Sequence, residues 1–183
     1  REGMAPRLTR IIEDNVRRLN GLVEDVLSLN RRDRLEREMV ALEDFLPLFV
    51  QQFVQRESVS PGVIQILLAR EARVCMDPGH LEQILWNLMR NAWRYCTRRP
   101  GSIRVRVTRD EGRAVIEILN DGPPISPEVQ SHLFEPFYTT DKQGTGLGLY
   151  IARELAEANR AALRYVDNQD GALFRLSCQA PPC

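Results

Sequence analysis

The chain has 183 residues, 43% hydrophobic and 27% charged, and its 25 basic side chains balance 25 acidic ones. That balance gives no bulk attraction to nucleic acid or to an anionic membrane, and no apolar run approaches the ~18 residues of a membrane span. No leader pattern is present, and Cys75, Cys96, Cys178 and Cys183 lack paired spacing, which argues against zinc and fits reduced thiols in a cytosolic protein.

The elements can be taken in chain order. In residues 4–35, Leu8, Ile12, Asn15, Leu19, Leu22, Val26 and Leu29 recur at alternating steps of four and three, an a/d-like seam. Such a seam buries itself against another helix, so a hairpin partner or a dimer is expected, with Asn15 favouring one register. The charged run RRDRLERE (31–38) reads as a helix end or linker. LEDFLPLFVQQFVQR (42–56) reads as a helix with Asp44 as its N-cap and Pro47 in its first turn. VIQILLA (63–69) and RVCMD (73–77) read as a β-hairpin.

DPGHLEQILWNLMRNAWRYCTRR (77–99) is a long amphipathic helix, with Leu81, Ile84, Leu85, Leu88, Met89 and Ala92 at helical spacing. SIRVRVTR (102–109) and RAVIEIL (113–119) are two strands around the turn DEG. NDGPPISPEVQSHLFEPFYTTDKQ (120–143) is rich in turn residues, with a short helix over 127–133. GTGLGL (144–149) opens a helix to about Ala158, and ALRYVD (162–167) and GALFRLSC (171–178) close the chain as a hairpin.

Four separated stretches carry candidate chemistry. Asn87 and Asn91 stand four apart on one helix face, joined one turn on by Arg94 and Tyr95. An amide oxygen suits Mg²⁺, which keeps most of its waters; Arg94 could meet phosphate and Tyr95 could pack on a base. By itself this is also an ordinary polar helix face. NDGPP (120–124), directly after a strand, is a turn or a purine contact in which Gly122 lets a base approach the backbone. LFEPFYTT (133–140) brings Phe134, Phe137 and Tyr138, a pattern more often core than cofactor box. In GTGLGL, backbone amides before a helix N-terminus suit anionic phosphates. The spacing is neither that of a P-loop nor that of a dinucleotide-binding turn.

In this order and spacing, NLMRNAWRY, NDGPPI, LFEPFYTT and GTGLGL resemble the N, G1, F and G2 boxes of sensor histidine kinases. The resemblance spans residues 60–180, and 4–35 resemble the second helix of the kinase dimerisation hairpin. It implies an α+β fold, a two-layer sandwich of the Bergerat type in which a mixed sheet carries helices on one face, preceded by that helical segment. It divides the chain into hairpin helix (1–35) and ATP-binding domain (36–183).

The implied ligands are ATP and Mg²⁺. Asn91 would hold the metal, Asn87 would neighbour the phosphates, and both would be catalytic. Arg94 and Tyr95 would line the nucleotide, Asn120 would accept from the adenine amino group, and Gly122 would lie beneath the ring. Phe137, Thr140, Gly144, Thr145, Gly146, Leu147, Gly148 and Leu149 complete the implied binding set, the three glycines as lid hinge and phosphate-facing backbone. Implied partners are the chain's own acceptor-histidine hairpin helix, a second copy in the full-length protein and a response regulator. The implied setting is the cytoplasmic part of a bacterial protein anchored in the inner membrane through segments outside this chain.

The sequence departs from the family pattern in two places. Asn120 and Pro124 stand where the G1 box has Asp and Gly, which predicts weaker but retained nucleotide binding. Only His80 and His132 are present, and neither is followed by a phosphoacceptor box, so the chain is expected to be a fragment unable to phosphorylate itself. A hydrolase or clamp of the same superfamily is the alternative; those proteins carry Glu four residues before the metal-binding Asn, where this chain has Asn87. A pseudokinase scaffold is a third reading, favoured by the altered G1 box.

Overall fold

The computed structural model describes residues 4–30, 35–141, 144–179 and 183. Twelve elements follow among them: α1 (Met4–Asn30), β1 (Glu38–Ala41), α2 (Leu42–Glu57), β2 (Ile64–Leu67), β3 (Arg73–Met76) and α3 (Pro78–Tyr95); then β4 (Ile103–Asp110), β5 (Arg113–Asn120), α4 (Pro127–His132), α5 (Gly148–Ala158), β6 (Ala162–Val166) and β7 (Ala172–Ser177). The main sheet has the order β2-β4-β5-β7-β6, with only β2 parallel to its neighbour. α2, α3 and α5 supply the helical half of one hydrophobic core, giving the mixed-sheet, two-layer α+β fold.

Period-two alternation builds the sheet. In β4, Ile103, Val105 and Val107 are buried while Arg104 and Arg106 face outward. Central strand β5 is buried on both faces, because Arg106 and Arg175 close over Glu117. Glu117 stands directly opposite both arginines in register and forms ion pairs of 2.6 and 2.7 Å with them. Burial pushes its pKa up, but the hydrogen bonds and charges of Arg175 and Arg106 prevail and hold the carboxyl below its ordinary 4.5.

The predicted 63–69/73–77 hairpin does not form. β2 pairs with β4 and β3 pairs with β1, a strand that the charged run had concealed. The Ala69 amide still donates to Val107, after which the chain leaves the main sheet. α2 starts at Leu42, as its sequence range has it, but its cap differs. Its N-cap is Ala41, without a side-chain bond, because the Leu42 amide donates to Ala72 at 2.9 Å. Asp44 therefore lies within the first turn, and Pro47 lies inside the helix.

α3 begins as its sequence requires. The Asp77 carboxylate accepts from the His80 amide at 3.0 Å, and Pro78 supplies a preset φ. His80 is 3% exposed. Asn159, at the end of α5, donates to His80 Nδ1 at 3.0 Å and to the Leu155 carbonyl at 2.7 Å, and accepts from the Asp77 amide at 2.9 Å. This buried knot fixes the start of α3 against the end of α5.

The cysteines depart from expectation. Cys75 and Cys183 form a disulfide across 108 residues, whereas Cys96 and Cys178 stay free. Four reduced thiols were expected because sequence spacing cannot reveal that the C-terminus returns to β3. Burial pushes the Cys178 thiol up to about 12.

Of the α1 seam, only Leu22 packs on the core; Ile12, Leu19 and Val26 are exposed. The side chains of Leu8 and Leu29, and residues 31–34 of the charged run, lie outside the described part.

Glu117→Gln tests the sheet's ionic bridge. A depressed carboxylate contributes stability above its ordinary pKa and loses it as pH falls through the folded value. The variant should lose about 2 kcal/mol at pH 7, less than the 3–5 of a fully buried pair because the arginines remain half in water. It should also show a flatter loss of stability below pH 4.5 than the wild type, read from urea midpoints across the acid range.

Candidate functional site

α3 and α5 run antiparallel. The buried knot joins the start of α3 to the end of α5, and midway along α3 the Asn87 carboxamide meets the first residue of α5. A Cβ on Gly148 would lie 3.3 Å from Asn87 Oδ1, a tight contact that would shift the amide by a few tenths of an ångström. Asn87 Nδ2 is buried without a partner among the described residues, the condition of a donor awaiting a ligand.

A cavity of about 610 Å³ opens beside this contact. Asn87, Arg90, Asn91 and Arg94 of α3 line one end, with Gly144, Thr145, Gly146 and Gly148 across from them. The opposite end is apolar, with Pro123, Pro124, Ile125, Val129 and Leu133 on the segment between β5 and α5, and Tyr95, Leu149 and Ala172. A pocket of that size, lined by apolar side chains, by amides and arginines and by Asp14 and Asp25 of α1, has the dimensions of a nucleotide site.

Local structure positions each wall. The helical repeat projects Asn87, Asn91 and Arg94 to one side. Arg94 pairs with Asp141 at 3.1 Å, drawing the end of the lid (residues 121–147) onto α3. α5 has no side-chain N-cap bond, so its first amides keep capacity for an anion. Thr145 Oγ1 donates to Asp25 of α1 at 2.7 Å and accepts from the Leu147 amide at 3.3 Å.

Pro123 and Pro124 have no N–H to give, so the apolar wall is held by side chains. Ile125 N–H donates to Tyr165 Oη at 3.1 Å, and Gln130 Nε2 donates to both the Ile125 carbonyl and Asp167 at 2.8 Å. At the start of the lid, Asp121 accepts from the Thr97 amide at 2.8 Å and from its hydroxyl at 2.5 Å. Partial burial raises the Asp121 pKa, but these bonds outweigh it and hold the carboxyl below its ordinary range.

The residues singled out from sequence divide clearly. Asn87, Asn91, Arg94, Tyr95, Thr140, Gly144, Thr145, Gly146, Gly148 and Leu149 line the cavity. Asn120, Gly122, Phe137 and Leu147 do not. Asn120 is buried at the end of β5, its Nδ2 without a partner among the described residues. Gly122 is packed under the Tyr95 carbonyl, 2.3 Å from where a Cβ would sit. Phe137 turns its ring to solvent, 71% exposed with φ +65°, while its amide donates to the Gly146 carbonyl at 2.9 Å. Gly146 needs its glycine there, because at φ +72° a Cβ would lie 2.5 Å from the Phe137 backbone. Leu147 faces the core and precedes α5.

Sequence reasoning missed Asp14, Gly21 and Asp25, which bring α1 to the same cavity. Their spacing of seven and four places them on one helix face, but nothing in the sequence says what that face meets.

His132 pairs with Glu135 at 3.0 Å and packs its ring on Tyr138, and His80 is held in the buried knot. Neither lines the cavity.

Residues 76–182 match the family described as histidine kinase-, DNA gyrase B-, and HSP90-like ATPase. Sensor protein kinase PilS of Pseudomonas aeruginosa is 37% identical over 180 residues, covering 96% of this chain and 34% of that protein. The chain thus spans about a third of the length of this relative. Histidine kinase ThkA, solved in complex with the response regulator protein TrrA, aligns with a TM-score of 0.75 at 23% identity, over all of this chain and 53% of that one. Full-length ShkA in complex with AMPPNP aligns at 0.70 and 25% identity, over all of this chain and 41% of that one.

Gly122→Ala probes the junction of helix and lid. The added methyl overlaps the Tyr95 carbonyl, so unfolding free energy should fall by about 1–3 kcal/mol. Because Tyr95 and Pro123 flank the displaced backbone, affinity for a fluorescent ATP analogue should fall more than tenfold in the folded fraction. Urea unfolding and fluorescence titration read the two effects.

Proposed function

Since the chain belongs to the histidine kinase-, DNA gyrase B- and HSP90-like ATPase family, on its sensor histidine kinase branch, we propose that it binds Mg·ATP in the 610 Å³ cavity and transfers the γ-phosphoryl group to a histidine outside this chain. Residues 1–35 are then the second dimerisation-hairpin helix and 36–183 the catalytic domain. The observation that carries the reading is a cavity lined by amides and arginines as well as by apolar side chains, with the Asn87 Nδ2 on its wall buried and without a partner among the described residues.

The donor set fits the group. Asn91 offers a neutral amide oxygen to Mg²⁺, and Arg90 and Arg94 offer guanidinium groups to phosphate. When bound, Mg²⁺ would neutralise charge on the phosphate oxygens. Phosphoryl transfer asks the protein mainly for positioning and electrostatic stabilisation, which amides, arginines and helix N–H groups supply without a general base. Asn87 cannot deprotonate water, which favours a kinase over the hydrolytic relatives. Adenine belongs at the apolar end, between Tyr95 and the Pro123–Ile125 wall, and reaches the Asn120 amide, which is buried behind that wall, only when the start of the lid shifts.

By family, the product phosphohistidine would pass its group to a response-regulator aspartate, and the solved ThkA–TrrA complex supports a partner of that kind. The segments 7–32 and 144–166 resemble the sensor kinase that regulates type IV pili, so we assign the output to pilus gene expression in a dimeric, inner-membrane-anchored protein.

The test is transfer in trans. With [γ-³²P]ATP and a separate hairpin bearing the acceptor histidine, the chain should place acid-labile, base-stable label on the hairpin, and Asn91→Ala should abolish it. ATP binding without label on the hairpin would sink the kinase reading, and phosphate release without an acceptor would favour a hydrolase.

Asn120→Asp restores the carboxylate of the family pattern. A bond from the adenine amine to a charged acceptor is worth about 1.5–3 kcal/mol against about 1 for a neutral one. The variant should therefore bind a fluorescent ATP analogue several-fold more tightly, and an unchanged Kd would remove Asn120 from the adenine contact.

A further inference from the structure

We propose that Asp25 of α1 is a positioning residue for the nucleotide site, acting through Thr145 so that docking of α1 and binding of a triphosphate oppose each other. The inference rests on the nucleotide reading of the cavity and concerns its regulation.

Thr145 lies in the glycine-rich loop, and its hydroxyl has one proton. That proton is given to Asp25 Oδ2 across 120 residues of sequence, at 2.7 Å in a partly buried setting. While the bond lasts, Thr145 cannot donate to a phosphate oxygen. Gly21, four residues before Asp25, faces the same residue: a Cβ there would lie 3.4 Å from Thr145 Cγ2, in van der Waals contact, so a larger side chain would press on the loop. Asp14, Gly21 and Asp25 share one face of α1, and all three line the cavity that Asn87 and Asn91 line. Docked α1 thus adds two carboxylates to the wall of a cavity that must accept a polyanion, and like charges across a partly buried space repel.

The docking is also lightly held. Among the described side chains of α1, Leu22 is the one that packs on the core, while Ile12, Val16, Leu19, Val23 and Val26 are at least half exposed. A helix with so little apolar anchorage on its own domain can be displaced by a ligand of modest differential affinity. Linkage makes the opposition reciprocal: whatever draws α1 away favours the triphosphate, and the bound triphosphate releases α1.

Titration calorimetry of the full chain with Mg·AMPPNP and, separately, with adenosine tests this. Asp25→Asn removes the charge and keeps the shape; it should tighten Mg·AMPPNP about five- to tenfold, within the usual range of coupling between sites. Adenosine, which has no phosphate, should change less than twofold. Gly21→Leu, which pushes α1 off Thr145 without altering charge, should shift Mg·AMPPNP in the same direction. The AMPPNP-to-adenosine ratio is the readout that a merely structural role of Asp25 would leave unmoved. Unchanged or weaker AMPPNP binding in Asp25→Asn, or an equal shift for adenosine, overturns the inference and leaves the nucleotide reading standing. Failure of the wild type and both variants to bind either ligand overturns both.

Discussion

The antiparallel contact between α3 and α5 is the constraint from which the rest of the site follows. At one end Asn159 joins the Asp77 amide, His80 Nδ1 and the Leu155 carbonyl in a largely buried knot. Along the interface, Leu81, Ile84, Leu85, Leu88 and Met89 share the core with Ile151, Ala152, Leu155 and Ala156. Each large side chain so buried contributes about 1.5–3 kcal/mol, and the knot sets the register, because moving either helix would strand several buried polar groups at once. With the register set, the start of α5 meets the middle of α3, Gly148 against Asn87. A polar cluster remote from the cavity thereby decides where the cavity's amides and its glycine-rich loop stand.

The lid obeys a different economy. Two prolines deprive its first stretch of amide donors, so its conformation is carried by side chains reaching in from β6 and beyond, Tyr165 and Asp167, and by Gln130 within it. The other end of the lid is tied by Arg94 to Asp141 and by the Phe137 amide to the Gly146 carbonyl. Few of these ties are buried, and each is worth about 1 kcal/mol net. That suits a wall that, on the proposed function, admits and releases a nucleotide. α1 adds a third layer of control, since its carboxylate competes for a hydroxyl of the loop that the lid ends on.

Much of this was legible in the sequence where the signal is local. Period-two alternation marked β4, helical periodicity marked α3, the Asp77-Pro78 pair marked its start, and the spacing of Asn87, Asn91 and Arg94 marked one face. Illegible were the features in which a distant segment supplies the partner. Ile64–Leu67 and Arg73–Met76 have the composition of a hairpin, yet each finds a better-matched strand elsewhere, β4 for the first and β1 for the second. Ala41 caps α2 without a capping side chain because Ala72 takes the Leu42 amide. Phe137, in an aromatic run that suggests a binding box, contributes backbone instead, since Gly146 occupies the space against it.

Sequence alone determined the family resemblance and most of the elements, together with the residue types for the phosphate end: amides and arginines at helical spacing, and glycines before a helix. These are properties of short segments, in which periodicity, capping and backbone freedom act over a few residues. Tertiary structure decided which of those residues share one cavity, that Asn120 and Gly122 lie behind its wall, that His80 is part of a buried knot, and that Asp25 reaches Thr145. Those outcomes depend on hydrogen-bond partners some 80 to 120 residues apart, and partners at that separation meet only once the core has packed.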